Sequence, residues 1–109
     1  MARPDREDDT SVVTRTRTDK KLQHPPLYRV LLHNDDYTTR EFVVWVLQTV
    51  FHRTEVEAVQ IMLHVHNNGV GIAGVYPYET AETKVHQVVE VARENEMPLQ
   101  ASLRKSQDR

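Results

Sequence analysis

The sequence predicts an α+β fold: a compact β-α-α-β-α-β domain whose three-stranded antiparallel sheet carries three helices on one face. Three observations lead there. Short β-branched or alternating segments begin near residues 28, 70 and 99. Three longer segments between them repeat apolar residues at three- and four-residue intervals, the helical period. Two Thr-x-x-Glu signatures mark where helices start.

Each element has its own local cause. Tyr28-Arg29-Val30-Leu31-Leu32-His33 is apolar and β-branched enough for a first strand. Asn34-Asp35-Asp36-Tyr37 is a turn by its Asx content. Thr38-x-x-Glu41 matches a capping box, and Phe42, Val43, Val46, Leu47, Val50 and Phe51 follow at helical spacing. Thr54-x-x-Glu57 opens a second helix with Ala58, Ile61, Met62 and Val65 along its inner side, and Asn68-Gly69 stops it. Residues 70–76 read as a strand in which Gly71 and Gly74 either weaken the pairing or admit a close contact. Pro77 breaks it. A third helix starts at Thr80 or a neighbour, buries Val85, Val88, Val89 and Ala92, and ends at Pro98. Leu99, Ala101 and Leu103 alternate with polar residues, as in a half-buried strand.

Composition bounds the rest. The 109 residues are enough for one domain. There is no cysteine, which excludes disulfides and thiolate metal sites. A net charge of -2 gives no overall pull toward nucleic acid or an anionic membrane. The longest apolar runs, residues 43–47 and 69–76, are too short to cross a bilayer. The first ten residues are charged and lack an apolar stretch, so no secretory signal is expected and the location expected is cytoplasmic. Residues 1–26 mix charges of both signs without a helical or strand period and are expected to be a disordered extension. Residues 27–103 form the expected folded domain, and residues 104–109 a short polar tail.

Few residues carry recognisable chemistry. In Asn34-x-Asp36, residues two apart in an extended stretch point the same way, so an amide oxygen and a carboxylate face one spot. The same residue types cap their own backbone in turns, and spacing alone favours that use. Met62, Val65 and His66 share one helix face, which suits either a pocket wall with an imidazole at its edge or an ordinary core face. His64 and His66 lie two apart on a helix and point nearly opposite ways, which argues against a shared metal ion. No nucleophile beside a histidine and no glycine-rich phosphate loop is visible, so neither catalysis nor a cofactor is expected. The basic stretch from Arg15 to Lys21 lacks interleaved aromatics and reads as a solvated tail.

Tyr28-Arg29-Val30, Asn34-Asp35-Asp36-Tyr37-Thr38, Glu41-Phe42-Val43, Met62-Leu63-His64-Val65-His66, Asn68-Gly69, Ala81-Glu82-Thr83-Lys84-Val85 and Pro98-Leu99 occur in this order. Over residues 27–103 the string resembles the bacterial adaptor family ClpS. That resemblance implies a non-catalytic protein that binds substrates by a destabilising N-terminal residue, usually Phe, Tyr, Trp or Leu, and delivers them to the ClpA unfoldase and its ClpP peptidase. It implies that Asn34, Asp36 and His66 hold the substrate α-amine. An ammonium has three donors and wants acceptors, and His66 accepts only through an unprotonated ring nitrogen. It implies a side-chain pocket lined by Thr38, Val43, Met62, Val65 and Leu99, with selectivity for large apolar groups through buried area. It further implies that Glu79, Glu82 and Lys84 dock on the unfoldase N-domain, although Glu near a helix N-terminus is favourable in any case. Residues 1–26 match, by length and composition alone, the extension that the unfoldase engages.

Three positions depart from the family pattern, Thr39, Arg40 and His33. Where the family commonly reads Thr-Pro-Met-Glu-Phe, this chain reads Thr38-Thr39-Arg40-Glu41-Phe42. The family's methionine gates the pocket mouth and rejects β-branched residues. Arg40, expected along the rim, can stack on an aromatic leading residue for about 0.5–2 kcal/mol, or repel the ammonium and open the gate. The expectation is altered selectivity, with aromatics retained and Leu weakened. His33 replaces an apolar residue and faces either the far pocket wall or solvent. The alternative function is an unfoldase-binding modulator or inhibitor with altered or lost N-terminal selectivity. A translation-associated module has no use for the amine-binding residues, and fold alone does not imply that function.

Overall fold

The computed structural model describes residues 25–106. The expectations for the N-terminal extension before Pro25 and for the last three residues fall outside the described residues. The described chain runs β1 (Leu27–His33), α1 (Arg40–Thr49), α2 (Glu55–Asn68), β2 (Val70–Pro77), α3 (Tyr78–Glu94) and β3 (Gln100–Lys105). The sheet is antiparallel throughout, in the order β2-β1-β3. The architecture is the predicted one. β3 starts one residue later than expected and runs past residue 103 to Lys105.

The core follows from strand alternation and helix period together. Val30 and Leu32 lie on one face of β1 and are fully buried. Val46 and Leu47 of α1, Ala58 of α2, and Ala81 and Val88 of α3 close over them, each fully buried as well. Of the four α3 residues expected inside, Val88 and Ala92 are buried, joined by Ala81, while Val85 and Val89 are partly buried.

The helix starts divide the two Thr-x-x-Glu signatures. Thr54 and Glu57 form a reciprocal capping box at α2. The box expected at Thr38 and Glu41 does not form. Thr39 is the N-cap of α1, its hydroxyl accepting from Phe42 N–H at 3.1 Å. Thr38 is committed elsewhere: its N–H and its hydroxyl both donate to Asp35.

Two contacts tie α2 to the sheet. Gly69 ends α2 at φ 88°, a left-handed conformation that costs little only for glycine. Its carbonyl accepts from Asn34 N–H at 2.9 Å, which joins the end of α2 to the exit of β1. A Cβ on Gly71 would lie 2.7 Å from Val65 Cγ2, so the glycine allows β2 to pack directly on α2. Between Val30 and Leu31 the β1–β2 register slips, leaving Ala73 without a cross-strand partner. The Ala73 carbonyl accepts instead from the Arg53 guanidinium at 2.8 and 3.0 Å, which pins the α1–α2 loop to the bulge.

Candidate functional site

The loop after β1, the first turn of α1 and the last turns of α2 enclose a cleft of about 410 Å³. Of the predicted residues, Asn34, Asp36, Thr38, Arg40, Val43, Met62, Val65 and His66 all line it. The loop gets its shape from Asp35. That carboxylate accepts from Tyr37 N–H at 2.8 Å, Thr38 N–H at 2.7 Å and Thr38 Oγ1 at 2.7 Å. The Asx turn that the sequence announces is therefore made by the middle residue of Asn34-Asp35-Asp36. Its two neighbours stay exposed at the cleft, and among the described residues their side chains carry no hydrogen bond. Partial burial pushes the Asp35 carboxyl up, but the Thr38 hydroxyl and the Thr38 and Tyr37 N–H groups outweigh it and hold the group below its ordinary value.

The floor of the cleft is apolar. Val43 from α1 faces Met62 and Val65 from α2, all three buried. Met62, Val65 and His66 share a helix face because they lie three and four residues apart. The imidazole sits at the exposed rim, where Nε2 lies 3.0 Å from Arg40 Nη2. A guanidinium only donates, so Nε2 is the acceptor and the neutral ring carries its proton on Nδ1.

The other residues singled out in the sequence are Leu99, His33, Glu79, Glu82 and Lys84. Leu99 is 3% exposed and belongs to the same buried cluster as Val43, Met62 and Val65; it also borders a shallow depression with Val89 and Met97. His33 faces the sheet rather than the cleft, with Nε2 2.7 Å from Ser102 Oγ on β3. Glu79 and Glu82 stand exposed at the start of α3. Lys84 is half-buried, donates to the Val50 carbonyl at 2.7 Å and lies 5.6 Å from the centre of the Tyr76 ring. It thereby caps the C-terminal end of α1. Asp35, Tyr37, Thr39 and Glu41 also line the cleft without having been singled out. The Asx-rich loop was the available signal for Asp35, but spacing did not say which Asx would turn the chain.

A larger groove of about 570 Å³ lies over the opposite side of the sheet, between Leu31, Ile72 and the His64 side of α2. It contains none of the predicted amine or pocket residues. Among the described residues no cluster of three His, Asp or Glu side chains is placed to hold a metal ion. No described helix is long and apolar enough to cross a membrane.

Comparison with known proteins points to one family. Residues 23–102 match the family model described as ATP-dependent Clp protease adaptor protein ClpS. The chain is 64% identical over 97 residues to an ATP-dependent Clp protease adapter protein ClpS of Myxococcus xanthus, covering 89% of this chain and 91% of that protein. It is 55% identical over 96 residues to its counterpart in Caulobacter vibrioides, covering 88% and 86%. Among solved structures it resembles Agrobacterium tumefaciens ClpS2 bound to L-phenylalaninamide, with a TM-score of 0.73 and 36% identity over 76% of this chain and all of that one.

Proposed function

The chain belongs to the ClpS family of Clp protease adaptors and is an adaptor rather than an enzyme, and we propose that its α1–α2 cleft binds the free N-terminal residue of substrate proteins. The leading residue is Phe, Tyr, Trp or Leu, and the bound substrate is delivered to a ClpA-type unfoldase of the ClpAP protease in the cytoplasm. The observation that carries this reading is one cavity holding the acceptors Asn34, Asp36 and His66 above a floor of Val43, Met62 and Val65. A free N-terminus needs that pairing: three acceptors for the ammonium and an apolar recess for the side chain beside it. L-phenylalaninamide, the ligand of the Agrobacterium relative, has the same two parts, a free α-amine and an aromatic side chain.

The chemistry assigns the roles. Asp36 offers the charge-assisted acceptor, Asn34 its amide oxygen and His66 its unprotonated nitrogen. Thr38, held through Asp35, keeps the loop wall in place. Acetylation removes the charge and two donors, so it is the discriminating change. Anisotropy with labelled peptides that lead with Phe, acetyl-Phe or Val tests the proposal. Tight binding of free Phe, lost on acetylation, is expected. Equal binding of the acetylated peptide overturns it.

For unfoldase docking, Glu79 and Glu82 are the exposed candidates, while the Lys84 ammonium is already engaged at Val50. A second reading has one observation in its favour: Arg40 lies on His66. A cleft held shut in that way describes an unfoldase modulator with altered or lost N-terminal selectivity. Absence of binding to every leading residue, with retention on an immobilised unfoldase N-domain, would select it.

A further inference from the structure

The nitrogen that a substrate amine needs is already in use. Arg40 is the first residue of α1, and His66 lies in the last turn of α2, so their hydrogen bond spans the two walls of the cleft. The position of Arg40 breaks a local rule. A cation at a helix N-terminus is opposed by the helix dipole, whereas one at a C-terminus is favoured. Arg40 stands at the disfavoured end of its own helix and reaches the favoured end of the next. Nε2 has a single lone pair, so a guanidinium and an α-ammonium are alternative ligands for it.

The guanidinium has somewhere else to go. Arg40, Glu41 and Met62 line a second, adjoining hollow of about 380 Å³ together with Val44, Trp45 and Gln48. Trp45 is 45% exposed there and stacks on Phe42 with ring centres 5.7 Å apart. An aromatic face and the Glu41 carboxylate are both suitable partners for a released guanidinium.

We propose that Arg40 competes with the substrate and so sets the affinity threshold of the cleft: its guanidinium holds His66 Nε2 in the free protein and moves to the Glu41–Trp45 hollow when a free α-amine binds. The inference rests on the reading of the cleft as an amine site. Every leading residue meets the same competitor. A side chain that fills the recess between Val43, Met62 and Val65 recovers the loss through buried area; a short or β-branched one does not. Arg40 thus raises the threshold for binding in a way that an uncharged residue at its position does not.

The test is a cycle of four proteins, wild type, R40M, H66A and the double variant, titrated with one labelled Phe-leading peptide. Arg40 is exposed, so its replacement leaves the core intact. R40M is expected to bind about three- to tenfold tighter than wild type, and to change affinity by less than about twofold when His66 is absent. An equal effect in both backgrounds, or weaker binding by R40M, overturns the competition. Nitrogen NMR of His66 in the free proteins supplies an independent reading: a Nδ1-protonated ring in wild type, altered in R40M. Identical ring states in the two overturn the inference. If neither wild type nor R40M binds the peptide, the amine-site reading falls and takes this one with it. If both bind without coupling, the amine site stands and the role of Arg40 falls.

Discussion

At the scale of single residues, the loop Asn34-Asp35-Asp36 divides its labour. Asp36 faces the cleft and Asp35 builds the wall. Asp36→Ala removes a charge-assisted acceptor without touching the fold. It is expected to weaken Phe-peptide binding by about 1.5–3 kcal/mol, with the melting temperature unchanged. Asp35→Asn behaves differently. Hydrogen bonds hold the Asp35 carboxyl below its ordinary value, so its contribution to stability is present above the unfolded-state pKa of about 4. That contribution is lost as pH falls through the lower, folded value. Urea unfolding of wild type is therefore expected to weaken on acidification below about pH 4 relative to Asp35→Asn. The variant starts from lower stability at neutral pH, so the two curves converge in acid. Parallel curves would show that Asp35 contributes nothing in its charged form.

At the scale of elements, the cleft depends on how closely α2 approaches β2. Gly71 permits that approach, since an added methyl would lie 2.7 Å from Val65 Cγ2. Val65 also lines the cleft floor. Gly71→Ala is expected to cost about 1–3 kcal/mol through overpacking and to lower peptide affinity as well, because the displaced residue lines the cleft proposed to bind the peptide. Thermal denaturation and anisotropy on the same sample check both halves. Thr54→Ala supplies the contrast at the far end of α2. It removes a capping box and is expected to cost about 1 kcal/mol of stability with little change in affinity. Comparable losses of affinity in the two variants would mean that the cleft responds to overall stability rather than to the seating of Val65.

At the scale of the whole molecule, the proposed amine cleft and the candidate docking edge are built from different elements. The cleft uses the β1–α1 loop, α1 and α2, whereas Glu79, Glu82 and Lys84 belong to α3. Glu82→Ala changes an exposed side chain. It is expected to reduce retention on an immobilised unfoldase N-domain and leave peptide binding and melting temperature alone. Lys84→Ala also removes the cap on Val50, so it is expected to lower the melting temperature by several degrees, as a loss of about 1 kcal/mol does in a domain of this size. Loss of retention by both variants assigns the edge to docking. Loss by Lys84→Ala alone assigns its effect to the fold.

Element order, the α2 capping box, the Gly69 stop and the shared face of Met62, Val65 and His66 were all legible in the sequence. Each depends on residues within a few positions of one another, where helix period, strand alternation and backbone preference act directly. The choice between adjacent candidates was not legible. Thr39 rather than Thr38 caps α1, and Asp35 rather than its neighbours turns the loop, because one carboxylate can satisfy only one set of donors. Leu99 matched the pocket lining by resemblance and is buried in the same cluster as Val43, Met62 and Val65. Lys84, given an interface role by resemblance, also caps the end of a helix 34 residues away, a contact the sequence did not announce. The bond between Arg40 and His66 joins side chains 26 residues apart. Local propensity set the elements, while the packing of α1 against α2 decided which polar atoms meet, because contacts between distant residues exist only once that packing is in place.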